Sequence, residues 1–354
     1  MKRASDHSNT TRNPRGARGL GAGGCGVLAA LFLVCAPPVQ AWDEAGHAIV
    51  TRLACEKLPA DMPKWLKEPA VCRRLEYLSS EPDRWRGQHN VHLDHANNPN
   101  HYIDIEDFEL YGLTLATLPP LRREFIDVLA GRRIAHPDKF GDYERRRDPS
   151  YTKLSPGLLP YEIAELQWKV AASWTTLKTY EQYRSYVTDE MIDNARQNIV
   201  YQMGIISHFI GDGSQPLHTT RHHNGWVGSN PKGYTTDRGF HAYIDGGAIE
   251  DFRITAESIG PRAKAPRAIP NERYWAEICR YLGETFAGVE PLYQLEKSGD
   301  LRKDPGKRFI EDRLIEGGSA LAGFWVAAYQ GAVIDDFRVQ RLTGGKKPAV
   351  EEKP

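Results

Sequence analysis

The sequence predicts an all-α fold, a single mainly helical domain with long loops. Six segments place apolar residues at helical spacing, and no segment competes with the alternation typical of a half-buried strand. Hydrophobic residues make up 40% of the 354, which is enough for a sizeable buried core. The chain shows no internal repeat, so we expect one domain rather than an array.

The first predicted helix begins near Gly46, where Ile49, Leu53 and Ala54 are spaced as on one helical face. Asp43 stands ahead of it as a cap. Five further helices are predicted at about residues 121–129, 161–180, 189–211, 273–295 and 309–333. Proline and glycine cluster at 145–160 and 255–271, and these clusters predict long surface connections.

The two ends of the chain are expected to lie outside the folded domain. Residues 1–41 read as a secretion signal, because basic residues precede an apolar run from Leu20 to Ala36 and a small-residue cleavage site. Cleavage between Ala41 and Trp42 would give a secreted or periplasmic protein. The polar tail, residues 339–354, is predicted to be disordered, which leaves 42–338 as the domain.

The charge balance, the absence of a long apolar segment and the cysteine count exclude several classes of function and structure. The chain has 46 basic and 46 acidic residues, and removal of five basic and one acidic residue with 1–41 leaves 41 and 45. Broad basic attraction to nucleic acid or to an anionic membrane is therefore excluded as the main source of affinity. No segment after residue 41 has the length of a membrane span, so no integral membrane association is predicted. Cys55, Cys72 and Cys279 allow one disulfide at most.

The segment HFIGDGSQPLH, from His208 to His218, carries the most specific chemical pattern. His208 and Asp212 are four residues apart on a predicted helix, so both side chains project from one face. Two glycines and a proline then turn the chain, which would let His218 return to the same cavity. His241 and Asp245 repeat the four-residue spacing.

A metal site has to be weighed against a simpler interpretation. One His-x-x-x-Asp pair is more often a surface ion pair or a capped core histidine than a ligand set. Two such pairs with His218 between them favour a metal site, and His47, Asp83 and His101 add ligands of the same kind from three upstream segments. Neutral imidazole and carboxylate together suit zinc.

The motifs together resemble those of the zinc-dependent single-strand-specific nucleases of the P-one and S-one type, which are related to the zinc phospholipases C. The resemblance rests on Trp42-Asp43-Glu44-Ala45-Gly46-His47, on Asp83 in SSEPDRWR and His101 in HYID, on HFIGDGSQPLH, and on His241 with Asp245. These motifs span residues 42 to 245. The resemblance implies the helical fold of that group of proteins.

The resemblance also implies three zinc ions in one cleft. It assigns one zinc to Asp83, His101, His208 and Asp212, and a close neighbour to His218, His241 and Asp245. It assigns the third to His47, Asp212 and the terminal amine and carbonyl of Trp42. An α-amine can bind metal only after the preceding peptide bond is cut, so signal removal would complete the site.

The activity that the resemblance implies is hydrolysis of single-stranded DNA or RNA to 5′-phosphate products, with 3′-nucleotidase activity as a further expectation. A water or hydroxide held between paired zinc ions would attack phosphorus, and Asp83 would orient it. Arg86 is assigned to the transition state, although a solvated arginine fits equally well. Tyr102 is assigned to base stacking, with a core tyrosine as the alternative. We expect a monomer without a stable protein partner.

One segment departs from the family pattern, residues 219–239. Its Arg221, Trp226, Lys232 and Tyr234 could form a replacement platform for base and phosphate, but stabilisation of a long loop is the favoured interpretation. Five histidines resemble no family ligand and are expected at the surface: His89, His92, His95, His222 and His223.

Two other functions stay open. A zinc-dependent phospholipase C would use the same chemistry and would need exposed apolar residues at the cleft mouth, which Trp85 and Trp226 could supply. A non-catalytic zinc-binding protein is the third alternative. The presence of every expected ligand argues against it.

Overall fold

A computed structural model describes residues 42–345 except 87, 89, 141, 142, 144, 147, 153, 154 and 335. The predicted signal, His89 and the chain beyond Gly345 lie outside the described residues. The described part is mostly helical and contains no β-strand, only an isolated antiparallel bridge between Ile103 and Gly157. The prediction of an all-α fold is therefore confirmed. No helix in this part has the length and hydrophobicity needed to cross a membrane.

The α-helices of the described residues are α1 (Glu44–Glu56), α2 (Pro69–Leu78), α3 (Glu81–Arg86), α4 (Val91–Asn97), α5 (Arg122–Ala135), α6 (Leu159–Gln182), α7 (Asp189–Ser214), α8 (Phe240–Ala242), α9 (Ala248–Phe252), α10 (Ala256–Ile259), α11 (Tyr274–Phe286), α12 (Val289–Ser298), α13 (Asp304–Gly331) and α14 (Asp336–Thr343). A π-helical turn, Tyr243–Gly247, joins α8 to α9. Short 3-10 turns at Asn98–His101 and Pro216–Thr219 matter for the site described below.

Several helices follow the sequence pattern and others depart from it. Asp43 caps α1 as expected, because its Oδ1 accepts a hydrogen bond from the Gly46 N–H at 3.1 Å. The helix predicted at 273–295 is two helices, α11 and α12. Pro291 explains the break, because inside one continuous helix its ring would clash with the carbonyl of Ala287, whereas the first turn of α12 tolerates it.

The predicted disordered tail begins too early. Residues 339–343 belong to α14, which ends with a buried Thr343. Arg338 of this helix donates a hydrogen bond to the hydroxyl of Thr176 on α6. Contact with α6 thus orders a segment whose composition alone suggests disorder.

Helix α7 is the centre of the fold and packs against α1, α2, α6 and α13. Every residue from Met203 to Ser214 is buried. Two glycines permit the close packing. A Cβ at Gly204 would meet the Leu78 side chain of α2 at 2.3 Å, and a Cβ at Gly211 would meet the His47 ring of α1 at 2.7 Å. The C-terminal half of α7 therefore lies directly against α1, which carries the candidate ligand His47.

The described cysteines play no covalent part in holding this arrangement. Cys55, Cys72 and Cys279 are all buried and free. Helix packing around α7 stabilises the fold instead, and it involves a continuous set of buried apolar side chains that includes Trp42, Trp174 and Trp325.

Candidate metal centre

Eight predicted ligand side chains meet in one buried region of the structure. They form three groups whose possible ligand atoms lie within 4.8 Å of one another: His47 with His208 and Asp212, Asp83 with His101 and His208, and His218 with His241 and Asp245. All eight side chains are buried. The third group contains the same residues as one of the sets that the resemblance implies. The first contains His208 where the resemblance implies Trp42, and the second lacks Asp212.

Seven separate elements supply these side chains. They are α1 for His47, α3 for Asp83, the turn Asn98–His101 for His101, α7 for His208 and Asp212, the turn Pro216–Thr219 for His218, α8 for His241 and the π-helical turn for Asp245. Helix geometry places the two pairs spaced by four residues on common faces. Tertiary packing brings the remaining side chains to them.

Asp212 lies at the centre of the first two groups. Its Oδ2 is 3.1 Å from His101 Nδ1 and 3.4 Å from His208 Nε2, and its Oδ1 is 3.5 Å from His47 Nε2. Asp83 Oδ1 lies 3.9 Å from ring nitrogens of both His101 and His208. Each of the two groups therefore contains a carboxylate and at least one imidazole that point toward a common space.

The third group lies beside them. His241 Nε2 is 3.3 Å from Asp245 Oδ2, and the rings of His218 and His241 meet edge to face with centroids 5.0 Å apart. Asp212 Oδ1 is 4.0 Å from His218 Nδ1, so this carboxylate borders all three groups. The π-helical turn that carries Asp245 is an uncommon conformation that is frequent at functional sites.

Backbone carbonyls orient two of the imidazoles. His208 Nδ1 is 2.7 Å from the carbonyl oxygen of Ser79, and His218 Nδ1 is 2.6 Å from that of His101. A carbonyl only accepts, so Nδ1–H donates in both cases and Nε2 is left with its lone pair. This is the arrangement typical of metal-binding histidines.

The unpartnered atoms of the cluster fit a metal ion. Eight buried atoms have no hydrogen-bond partner: both ring nitrogens of His47 and of His241, Nε2 of His101 and of His218, Asp212 Oδ1 and Asp245 Oδ2. Each such atom costs about 1–3 kcal/mol when left unsatisfied. Nitrogen and carboxylate oxygen donors in this combination suit zinc, so the residues present fit the group that the sequence motifs imply.

Burial determines the protonation states in the cluster. It lowers the pKa of His208 and of His218 to about 3, so both imidazoles are neutral, as metal ligands must be. Burial also raises the pKa of Asp212 and of Asp245 well above the usual value, and neighbouring carboxylates add to the effect. A bound cation would favour the ionised carboxylates and so relieve this cost.

Trp42 begins the described chain next to the cluster. Its indole Nε1–H donates to the hydroxyl of Ser214 at 2.9 Å, at the end of α7. The next residue, Asp43, donates its backbone N–H to the carbonyl of Asp245 at 3.2 Å. The start of the described chain is thus anchored to elements that carry ligands of different groups.

A cleft of about 820 Å³ opens onto His101, His218 and His241. Arg86 and Tyr102 both line it. Arg86 donates to Asp83 Oδ1 at 3.2 Å, so its guanidinium lies at the edge of the cluster. The Tyr102 hydroxyl donates to the Thr152 carbonyl at 2.5 Å, which leaves its ring as a wall of the cleft.

The segment 219–239 forms a packed loop. Trp226 stacks on His222 with centroids 3.8 Å apart and packs edge-on against Tyr293 of α12. Tyr234 is buried beside the same tyrosine. Two cations of the loop form ion pairs, Arg221 with Asp107 and Lys232 with Glu290. These contacts favour stabilisation of the loop over a substrate platform.

The expectation of surface histidines is wrong for His222, and His223 is only partly exposed. His92 and His95 are exposed, but His222 is buried. His223 lines the cleft, with its ring 5.8 Å from that of His241. The sequence signal available for both was their position only four and five residues after His218. The loop folds back over the cluster, and spacing alone does not show that.

A scan against protein-family models found no match to this chain, and a search of curated proteins found none. The geometry of the described side chains therefore carries the interpretation. It identifies a candidate centre for several divalent metal ions, beside a cleft.

Proposed function

We propose that the protein is a zinc-dependent phosphodiesterase that hydrolyses single-stranded DNA or RNA to 5′-phosphate products. The observation that carries the proposal is the convergence of eight buried histidine and aspartate side chains, with unpartnered atoms, beside an open cleft. Structural zinc sites are closed and usually cysteine-rich, whereas sites of this composition are typical of catalysis. The motif order of the P-one and S-one nucleases supports the choice of a nuclease.

The charge of such a centre favours a phosphate substrate. Three divalent cations would carry about six positive charges, and Asp83, Asp212 and Asp245 would offset about three of them. The cleft would therefore attract anions locally in a protein that has 41 basic and 45 acidic residues after loss of residues 1–41. A phosphodiester fits this field better than a peptide or a sugar.

Each nearby side chain has a role in the proposal. The ligands are Trp42, His47, Asp83, His101, His208, Asp212, His218, His241 and Asp245. Zinc bound there would supply positive charge for the phosphoryl oxygens and would lower the pKa of water. Asp83 accepts a hydrogen bond from the attacking water, and Arg86 donates to a phosphoryl oxygen. Tyr102 offers its ring to a base.

Secretion is part of the proposal, because cleavage after Ala41 would free the Trp42 amine for the group formed by His47 and Asp212. The anchoring of Trp42 to Ser214 supports this role, since it holds the residue beside α7. The active form would be a secreted or periplasmic monomer.

The test uses protein that begins at Trp42, with single-stranded DNA, duplex DNA, RNA and a 3′-mononucleotide as substrates. We expect cleavage of the single-stranded substrates to stop with a chelator and to return with zinc. His218→Gln should abolish it, whereas His92→Gln at an exposed position should not. No cleavage of any substrate by zinc-loaded protein would overturn the proposal.

A second candidate, a phospholipase C, is favoured by one observation. An apolar crevice of about 400 Å³ is lined by Ile126, Leu129 and Leu158. It adjoins the cleft, because Arg133 and Ser155 line both. Such a crevice could take an acyl chain.

The two tryptophans that were expected to supply exposed apolar surface at the mouth of the cleft do not lie there. Trp85 and Trp226 are partly buried against the core, and neither is among the residues that line the cleft. Turnover of phosphatidylcholine without cleavage of nucleic acid would reverse the ranking of the two functions.

A further inference from the structure

Gln215 connects the end of α7 to the ligand group of His218, His241 and Asp245. Its side chain is fully buried. The amide Nε2 donates to Asp245 Oδ1 at 2.7 Å, and the amide oxygen accepts from the Leu217 N–H at 2.6 Å. Both polar atoms of this side chain are therefore satisfied, in contrast to the unpartnered atoms nearby.

The backbone decides which way the amide points. The Leu217 N–H can only donate, so the atom that faces it is the amide oxygen, and the NH₂ group faces Asp245. The hydrogen bond engages Asp245 Oδ1. The other oxygen, Oδ2, has no hydrogen-bond partner and lies 3.3 Å from His241 Nε2.

The same side chain also helps to place a second ligand. Gln215 is the N-cap of the turn Pro216–Thr219, because its oxygen accepts the Leu217 N–H inside that turn. His218 belongs to the turn, and its ring meets that of His241. One glutamine thus touches the carboxylate of the group directly and caps the turn that carries one of its histidines.

We propose that Gln215 is a positioning residue of the metal centre, which holds Asp245 by one oxygen so that the other is presented to a metal ion. The proposal rests on the proposed zinc centre. Asp245 lies in a π-helical turn, and its backbone carbonyl is held by the Asp43 N–H. Gln215 adds the constraint on the side chain, which the backbone contacts do not provide.

The test compares two isosteric substitutions. Gln215→Glu replaces the donor that faces Asp245 with a carboxyl oxygen. A bound cation favours the ionised form of this carboxyl, which has no proton to donate, so Asp245 loses its hydrogen bond and faces a like charge. Gln167→Glu is the matched control, because Gln167 is also a buried glutamine, but its Nε2 donates to the Phe324 carbonyl, away from the ligands. Zinc affinity, measured by chelator competition, should fall about 10–100-fold for one ion in Gln215→Glu and stay unchanged in the control.

A measurement on the unsubstituted protein covers the case in which Gln215→Glu does not fold. During a zinc titration, the side-chain amide resonances of Gln215 should shift in the NMR spectrum, and those of Gln167 should not. Unchanged affinity in folded Gln215→Glu, or stationary Gln215 resonances while zinc binds, would overturn the positioning role. Absence of zinc binding in the unsubstituted protein would overturn the centre itself.

Discussion

Two polar clusters of this protein, one partly exposed around Arg122 and one buried in the candidate metal centre, differ in how their polar atoms are hydrogen-bonded. Around Arg122 the guanidinium donates to Glu165, Asn100 and Glu162, and the Asn100 amide donates to Glu162 as well. Opposite charges and amides satisfy one another there. In the candidate metal centre five histidines and three aspartates converge, and eight of their atoms have no hydrogen-bond partner.

The difference separates a structural cluster from a binding cluster. A network whose polar groups form hydrogen bonds with one another stabilises the fold without a bound ion. Unsatisfied buried atoms cost about 1–3 kcal/mol each, and a whole domain is stable by only about 5–15 kcal/mol. The histidine and aspartate cluster is therefore expected to depend on a bound cation, and the Arg122 cluster is not.

Zinc should produce the largest effect on stability. One ion at 1,000 times its Kd adds about 4 kcal/mol to the free energy of unfolding, which raises the Tm of a chain of this size by roughly 6 °C. Thermal unfolding with zinc and with chelator measures the difference. Identical midpoints would contradict the comparison, because the cluster would then be satisfied without metal.

When an aspartate of the cluster is substituted, the loss of bound zinc should increase with the number of candidate ligand groups that this aspartate borders. Asp212 lies within 4.0 Å of ring nitrogens in all three groups, whereas Asp245 belongs to one. Asp212→Asn should therefore lose more zinc than Asp245→Asn, as measured by elemental analysis after dialysis. Equal losses would argue against a shared carboxylate.

The Arg122 cluster should respond to substitution but not to zinc. Arg122→Met leaves the mostly buried Glu162 without its cation, which should lower the free energy of unfolding by about 2 kcal/mol. Urea unfolding measures this loss, and zinc titration should show unchanged affinity. A coupled loss of zinc would mean that the two clusters are not independent.

A fall in pH should lower the free energy of unfolding of the metal-free protein, because its buried histidines do not take up protons as readily as those of the unfolded chain. Below pH 6.5 the unfolded chain binds a proton at His218 that the folded chain does not bind until about pH 3, so stability falls as the pH falls through this range. The slope from this group is at most about 1.4 kcal/mol per pH unit. Asp212 and Asp245 have raised pKa values and act in the opposite direction.

Both aspartates are present in the unsubstituted protein and in His218→Gln. The difference between the pH dependences of their stability is therefore due to the histidine. In chelator, the stability of His218→Gln should fall less steeply between pH 6 and pH 4. Urea unfolding at several pH values measures the slopes. Parallel slopes would show that His218 is protonated in the folded state as readily as in the unfolded chain.

The smallest effect is expected outside both clusters, in the loop 219–239. Lys232 and Glu290 form an ion pair with both side chains about half exposed. Lys232→Ala should leave the free energy of unfolding almost unchanged and should leave the KM for single-stranded DNA unchanged. A several-fold rise in KM would restore the idea of a substrate platform in this loop.

Sequence patterns predicted long amphipathic helices well and short ones poorly. Helices α1 and α7 follow from apolar spacing, and α1 also from its Asp43 cap. Helices α2, α3 and α4 were not predicted, since short segments contain few repeats of the helical period. The order of 339–343 was missed because it depends on contact with α6.

The sequence by itself determined the residue types of the candidate ligands and the pairs spaced by four residues, because helix geometry places such neighbours on one face. Only the tertiary structure decided that His47, Asp83 and His101 meet those pairs, and that Gln215 holds Asp245. It also decided that His223 faces the cleft. These contacts join residues far apart in the chain or across a folded loop, so they depend on how helices pack rather than on local spacing.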